Sequence, residues 1–147
     1  MAVLTVTIKE EVTLNGSLKT FENVHTETVD DIFHRIYGVL HTAESELLNF
    51  GSAAAGGTFS DGDVDYLRIT NLDSTNFVTL RILDSTGGVG NEKEYFVKIE
   101  AGDSFILNNS LMDANVTGAG LVSFDPIDSI YAKADTATVN VEILALA

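Results

Sequence analysis

Short segments in which hydrophobic and polar residues alternate recur along most of this chain. The clearest lie in Val64–Leu83, where residues 63–72 and 77–83 both alternate and flank the polar residues Asp73–Asn76. Alternation with a period of two is typical of strands that bury one face, and Asp, Ser and Asn favour tight turns. The pattern therefore predicts a β-hairpin in the middle of the chain.

The same alternation predicts strands in the rest of the chain, separated by glycine-rich or polar loops. The predicted strands are Val3–Ile8 with an extension over Val12–Leu14, Leu18–Thr26 after an Asn15-Gly16 turn, Glu46–Phe50, Glu94–Glu100, Ser104–Leu107, Leu121–Phe124 before a break at Asp125-Pro126, Ile127–Lys133 and Thr138–Ala145. The predicted loops are Gly51–Gly62, Asp84–Asn91, Ala101–Asp103 and Asn108–Gly120. About eight to ten short strands at intervals of roughly ten residues predict an all-β fold, an antiparallel, jelly-roll-like β-sandwich that forms one domain over residues 1–147.

One segment, Thr28–His41, allows two interpretations. Its hydrophobic residues recur at intervals of three and four, which is typical of an amphipathic helix capped by Thr28. The β-branched and aromatic residues from Phe33 to His41 instead favour a strand, and Gly38 weakens a helix. The sequence therefore predicts at most one short helix, near residues 28–41, and leaves the choice open.

Composition and charge narrow the classes of partner. The chain has 147 residues, of which 45% are hydrophobic and 20% charged, a globular composition. Its 22 acidic and 8 basic residues give a net charge of -14, which repels nucleic-acid phosphates and anionic membrane surfaces. We therefore expect neither nucleic acid nor a membrane as a partner.

The absence of cysteine removes several kinds of chemistry at once. Disulfides, thiolate metal sites and Cys nucleophiles are all excluded.

The N-terminal residues lack a basic segment, charges interrupt them at Lys9–Glu11, and no hydrophobic run reaches membrane-spanning length. The sequence therefore predicts a protein without a signal peptide.

Three carboxylates form a weak candidate metal site. Asp61, Asp63 and Asp65 stand at alternate positions, a spacing at which carboxylates converge on Ca²⁺ in D-x-D-x-D loops. Tyr66 and Leu72 occupy the positions at which an EF-hand loop has its glycine and its bidentate Glu. A solvated loop that enters a strand is therefore the favoured interpretation.

Recognisable catalytic patterns are absent from the sequence. His25, His34 and His41 show no metal-ligand spacing, and surface histidines are the favoured interpretation. No G-x-S-x-G, P-loop or dinucleotide fingerprint occurs. The sequence therefore predicts a protein that is not an enzyme and has no cofactor.

Several segments resemble one class of protein. YLRITNLDSTNFVTLRI (Tyr66–Ile82), YFVKIEAGDSFIL (Tyr95–Leu107), the bend at Phe124–Ile130 and IYAKADTATVNVEILALA (Ile130–Ala147) resemble small structural proteins of the virions of tailed bacteriophages, especially marine cyanophages. The resemblance covers about the C-terminal two thirds of the chain and supplies no catalytic residue.

The resemblance implies a β-sandwich subunit that decorates or cements the capsid shell, and it leaves a tail or fibre position open. The implied partners are other virion proteins, either the major capsid protein or tail components, and further copies of the chain, with a trimer favoured. The implied location is the virion, after assembly in the host cytoplasm.

The last predicted strand is a candidate interface. It ends in ILALA and is hydrophobic on both faces, so it is expected to be docked rather than free. Burial between subunits and burial in the chain's own core are the two alternatives. The interface candidates on this strand are Val139, Val141, Ile143, Leu144 and Leu146.

A carbohydrate-binding β-sandwich for attachment to a host surface is the alternative function. Four tyrosines, Tyr37, Tyr66, Tyr95 and Tyr131, are candidates for a sugar-binding platform. Their positions within predicted strands favour packing roles, and the lack of Trp disfavours a lectin.

Overall fold

The computed structural model describes residues 2–51, 58–60, 64–85, 92–108, 113–114 and 125–147, and these residues contain strands and no helix. The strands are β1 (Ala2–Leu14), β2 (Ser17–Val29), β3 (Ile32–Val39), β4 (Ser45–Gly51), β5 (Thr58–Ser60), β6 (Tyr66–Asn71), β7 (Val78–Asp84), β8 (Lys93–Ile99), β9 (Ser104–Asn108), β10 (Asp113–Ala114), β11 (Asp125–Pro126), β12 (Ser129–Ala134) and β13 (Val139–Leu146). The predicted all-β class is confirmed.

The chain divides into two compact units, Met1–Asp30 and Asp31–Ala147. The first unit is a long β-hairpin, in which β1 and β2 pair from Ala2↔Val29 to Leu14↔Ser17 without a bulge. Its turn has positive φ at Asn15 (51°) and Gly16 (78°), as a two-residue type I′ turn requires. The Asn-Gly turn predicted from the sequence is thus confirmed, and both strands are longer than predicted.

The second unit is a jelly roll. One sheet has the order β5-β4-β12-β7-β8 and the other the order β3-β13-β6-β9. If the eight strands β3, β4, β6, β7, β8, β9, β12 and β13 are counted in that sequence from one to eight, the sheets read 2-7-4-5 and 1-8-3-6, which is the two-sheet arrangement of a jelly roll. All neighbours among these eight are antiparallel, and β5 joins β4 in parallel. The sandwich therefore occupies residues 31–147, whereas the sequence predicted one sandwich over residues 1–147.

The predicted central hairpin is wrong in its pairing. β6 lies between β13 and β9 in one sheet, and β7 lies between β12 and β8 in the other, so the chain crosses from sheet to sheet between them. Both strands exist and bury alternate residues, for example Leu67 and Ile69 in β6 and Leu80 and Ile82 in β7. Alternation is satisfied equally by two paired strands and by two strands that face each other across a core, and the second arrangement occurs here.

The ambiguous segment forms strand β3, so the helical interpretation is wrong. Val39 is buried, Phe33 and Tyr37 are half-buried, and Ile32 and Ile36 are exposed. The strand pairs with β13 over its full length, and backbone pairing of this extent outweighs a local helical pattern. The Phe33 ring also packs edge-on against Phe59 of β5, with ring centroids 5.8 Å apart.

Two predicted loops differ in part from the structure. Thr58–Ser60, inside the predicted loop Gly51–Gly62, forms β5, and Asp113–Ala114 forms β10 inside the predicted loop Asn108–Gly120. Asp125 and Pro126, which were predicted to end the strand Leu121–Phe124, form β11, in which Pro126 pairs with Asp113. The remaining parts of these loops, residues 86–91 of the loop Asp84–Asn91, and the predicted strand Leu121–Phe124 lie outside the described residues.

Candidate assembly and binding surfaces

The hairpin of the first unit has two chemically different faces. Residues that oppose each other in an antiparallel pair lie on the same face, so the register assigns each side chain. One face, here called the apolar face, carries Ala2, Leu4, Val6, Ile8, Val12, Leu14, Phe21 and Val29 together with Glu10, Ser17, Lys19, Asn23, His25 and Glu27. The other, here called the threonine face, carries Thr5, Thr7, Thr13, Thr20, Thr26 and Thr28 together with Val3, Lys9, Glu11, Leu18, Glu22 and Val24.

The half of the apolar face next to the turn is exposed. The exposed fractions are 44% for Ile8, 53% for Val12, 64% for Leu14 and 59% for Phe21. A two-stranded hairpin in water is marginally stable, and large hydrophobic side chains exposed side by side mark an interaction surface. This part of the hairpin therefore has the composition of a surface that another protein covers.

The hairpin edges add to this character. Across the described ranges, β1 and β2 pair only with each other, and their outer edges pair with no further strand. Proteins usually protect such edges with proline, a bulge or short length, and neither thirteen-residue strand contains any of these. The hairpin thus offers both a hydrophobic face and open backbone edges.

The outer side of the sheet β3-β13-β6-β9 carries a charged triad. Glu142 accepts hydrogen bonds from His34 Nε2 (2.9 Å) and from Arg68 Nη2 (2.7 Å) through its two carboxylate oxygens. The hydrogen bond from His34, and to a smaller extent the charge of Arg68, lower the pKa of Glu142 below its ordinary value. Ile36 and Ile106, which are 59% and 42% exposed, lie on the same side.

A shallow groove lies on the outer side of the other sheet. Its volume is about 330 Å³, and Phe96, which is 61% exposed, forms part of its wall. Arg81 lies under the groove, donates hydrogen bonds to Glu44 (2.7 Å) and Glu94 (3.0 Å), and stacks on the Tyr131 ring at 4.3 Å. The groove thus combines an aromatic wall with ion-paired polar groups.

The candidate calcium ligands are described only in part. Asp61 and Asp63 lie outside the described residues. Asp65 is half-buried, and its backbone N–H donates to the carbonyl oxygen of Leu146 at 2.9 Å. Within the described part of the chain, no group of three or more His, Cys, Asp or Glu side chains could hold a metal ion.

The three histidines lie at separate places. His34 belongs to the triad with Glu142, His25 lies 3.4 Å from Glu27 on the hairpin, and His41 is exposed. No pair of them shares a carboxylate in these contacts. The structure therefore does not assemble the histidines into one site.

The four tyrosines do not form one platform. Tyr37 and Tyr66 lie in the sheet that contains β13, whereas Tyr95 and Tyr131 lie in the sheet that contains β7. Tyr66 is buried, and partial burial raises the pKa of Tyr95 above its ordinary value. Tyr131 alone lies near the groove, beneath Arg81.

The terminal strand lies in the chain's own core. β13 is flanked by β3 and β6, and Val139, Val141 and Ile143 have exposed fractions of 0%, and Leu146 of 5%. Leu144 is half-buried on the outer side of the sheet. These buried side chains stabilise the sandwich itself, which is the second of the two alternatives, while the interface role of the outward-facing Leu144 stays a prediction.

The apolar face of the hairpin was not identified from the sequence. Its signal was nevertheless present, because hydrophobic residues at Val6, Ile8, Val12 and Leu14 alternate with threonine-rich positions in the strand before the Asn15-Gly16 turn. Alternation does not show whether a second sheet covers a hydrophobic face. Within the described part of the first unit, no second sheet covers these residues.

No family model, curated protein or solved structure matches this chain. Among the described residues no helix is long and apolar enough to cross a membrane. The surfaces themselves are therefore the basis for a functional proposal.

Proposed function

We propose that this chain is a non-enzymatic structural subunit of the virion of a tailed bacteriophage that decorates or cements the capsid shell. Two observations support the proposal. Tyr66–Ile82 and the later segments resemble virion proteins. The second unit is a jelly roll, a fold that suits dense packing. A position on the tail or its fibres is the alternative within the same class. Its partners would be the major capsid protein or tail components, and further copies of the chain.

The observation that carries this proposal is the exposed half of the apolar face. Ile8, Val12, Leu14 and Phe21 are all at least 44% exposed on one face of a two-stranded hairpin. A hairpin of this kind gains stability when a neighbouring protein covers that face, because burial of hydrophobic area is favourable and two strands alone bury little of it. In a subunit that functions in an assembly, a neighbouring protein can cover this face.

The experiment that tests the proposal measures association of the full-length chain. Light scattering gives the native mass over a wide concentration range, for comparison with 15.8 kDa for one chain. Co-sedimentation then measures binding to capsid shells and to tails of the phage that encodes it. Assembly in either measurement supports the proposal, and a monomer that binds neither shells nor tails overturns it.

A second candidate function is carbohydrate binding, and the groove favours it. An aromatic side chain that is 61% exposed, Phe96, beside hydrogen-bonding groups is the kind of surface on which a sugar ring packs. Glycan-array binding that is lost in Phe96→Ala and kept in Phe21→Ala would support this candidate. An array without binding by the wild-type chain would refute it.

A further inference from the structure

We propose that the apolar face of the hairpin packs against the same face of a second copy of this chain. This inference rests on the proposed function as an assembling subunit and identifies which surface joins two copies. The occupant of the apolar face is a second copy of the same chain.

The difference between the faces favours one-sided burial. Near the turn the apolar face holds Ile8, Val12, Leu14 and Phe21. The threonine face there holds one large hydrophobic side chain, Leu18, among threonine and charged side chains that water can satisfy. An antiparallel sheet with one hydrophobic and one solvated face is typically covered on one side only. When two such hairpins pack face to face, each apolar face is covered by the other and each threonine face stays in contact with water.

The charge of the hairpin permits contact between like copies. Five acidic residues and two lysines give residues 2–30 a net charge of -3, a small part of the -14 of the whole chain. On the apolar face, Glu10 and Glu27 stand with Lys19 and His25, so this face is close to neutral. Like-charge repulsion, which opposes self-association elsewhere on an acidic protein, is therefore weak here.

The positions of the two charges nearest the turn are complementary under two-fold symmetry. Glu10 lies opposite Phe21 across the hairpin. Lys19 lies opposite Val12, which is the next cross-strand pair on the same face. A two-fold axis parallel to the strands places β1 of one copy over β2 of the other. Glu10 of each copy then lies diagonally beside Lys19 of the second copy, so the contact forms twice, as an isologous interface requires.

The first test uses a matched pair of charge insertions. Phe21 and Leu18 lie on opposite faces of β2 and are both 59% exposed. We expect Phe21→Glu to raise the concentration at which copies associate by at least about tenfold, because each new carboxylate would be buried against Glu10 of the other copy. Leu18→Glu, on the threonine face, should leave the native mass by light scattering unchanged.

The second test uses the absence of cysteine in the chain, which makes an introduced cysteine the only thiol. Val12→Cys lies on the apolar face, and Thr13→Cys is its neighbour on the threonine face. A short bis-maleimide cross-linker, which spans the roughly 10 Å between two packed sheets, should link Val12→Cys into covalent pairs and should not link Thr13→Cys. Equal cross-linking of both variants overturns the inference.

The outcomes separate this inference from the proposed function. If the wild-type chain assembles and Phe21→Glu and Leu18→Glu assemble equally well, the hairpin pairing is refuted while an assembling subunit remains. If the wild-type chain is monomeric and binds neither shells nor tails, both are refuted. If Phe21→Glu alone loses self-association and far-ultraviolet circular dichroism shows an intact sandwich, the pairing is supported.

Discussion

The buried side-chain amide of Asn71 stabilises the connection between β6 and β7 by hydrogen bonds. Removal of this amide should destabilise the sandwich. Asn71 has an exposed fraction of 0%. Its Nδ2 donates to the carbonyl oxygens of Asn76 (2.8 Å) and Ile99 (3.3 Å), and its Oδ1 accepts from the backbone N–H of Asp73 (2.9 Å). One side chain thus joins the end of β6, the connection and the end of β8.

The magnitude follows from what Asn71→Ala leaves behind. The substitution deprives one backbone N–H and two carbonyl oxygens of their partners, of which the long contact to Ile99 contributes least. A buried polar group left without its partner costs about 1–3 kcal/mol, so the expected loss is about 3 kcal/mol of unfolding free energy. That is a large part of the roughly 5–15 kcal/mol typical of a folded domain.

The assay is urea-induced unfolding followed by circular dichroism, with Ser74→Ala as the control. Ser74 is exposed in the same connection, and its substitution should change the free energy of unfolding by less than about 0.5 kcal/mol. If Asn71→Ala loses less than about 1 kcal/mol, the amide does not hold the crossing and the reasoning is refuted.

Three further predictions concern the core, the charged triad and the groove. Ile143→Ala should cost about 2–5 kcal/mol, and this loss relative to the wild-type chain should be the same at every protein concentration. The half-buried Leu144→Ala should cost less, and a loss from Ile143→Ala that changes with concentration would instead indicate an intersubunit role. Because the folded-state pKa of Glu142 is lowered, its contribution to stability is present above its unfolded-state pKa and is lost as the pH falls through the folded-state value. Thermal melts in acid should therefore show a smaller pH-dependent loss in Glu142→Gln than in the wild type, and equal slopes would contradict this. Arg81→Met, which removes two ion pairs from a side chain that is 18% exposed, should cost about 1 kcal/mol in urea unfolding, and the exposed Arg35→Met should cost almost nothing.

The strands were predictable because side-chain alternation is a local property. Val78, Leu80 and Ile82 face the core because a strand with one buried face must place every second residue there. The Asn15-Gly16 turn was predictable for a similar reason, since few residue pairs accept positive φ at both positions.

Strand pairing was not predictable in the same way. The alternation in β6 specifies which side chains are buried, but it does not specify whether β7 lies beside the strand or across the core. In β3, Phe33 and Tyr37 occupy positions that suit both a helix face and a strand face, so only the pairing with β13 decides between them. The apolar face of the hairpin was missed for a related reason, because alternation does not show what covers a hydrophobic face.

The position of β13 has a consequence for how this protein folds. Val141 pairs with Tyr37 on one side and Asn71 on the other, so the sheet β3-β13-β6-β9 lacks an inner strand until residues 139–146 have been synthesised. Pairings between residues so distant in sequence form slowly. The local hairpin around Asn15-Gly16 has no such delay, because its strand pairing lies within residues 2–29. Its hydrophobic face should therefore form and be available to other chains before the sandwich has closed.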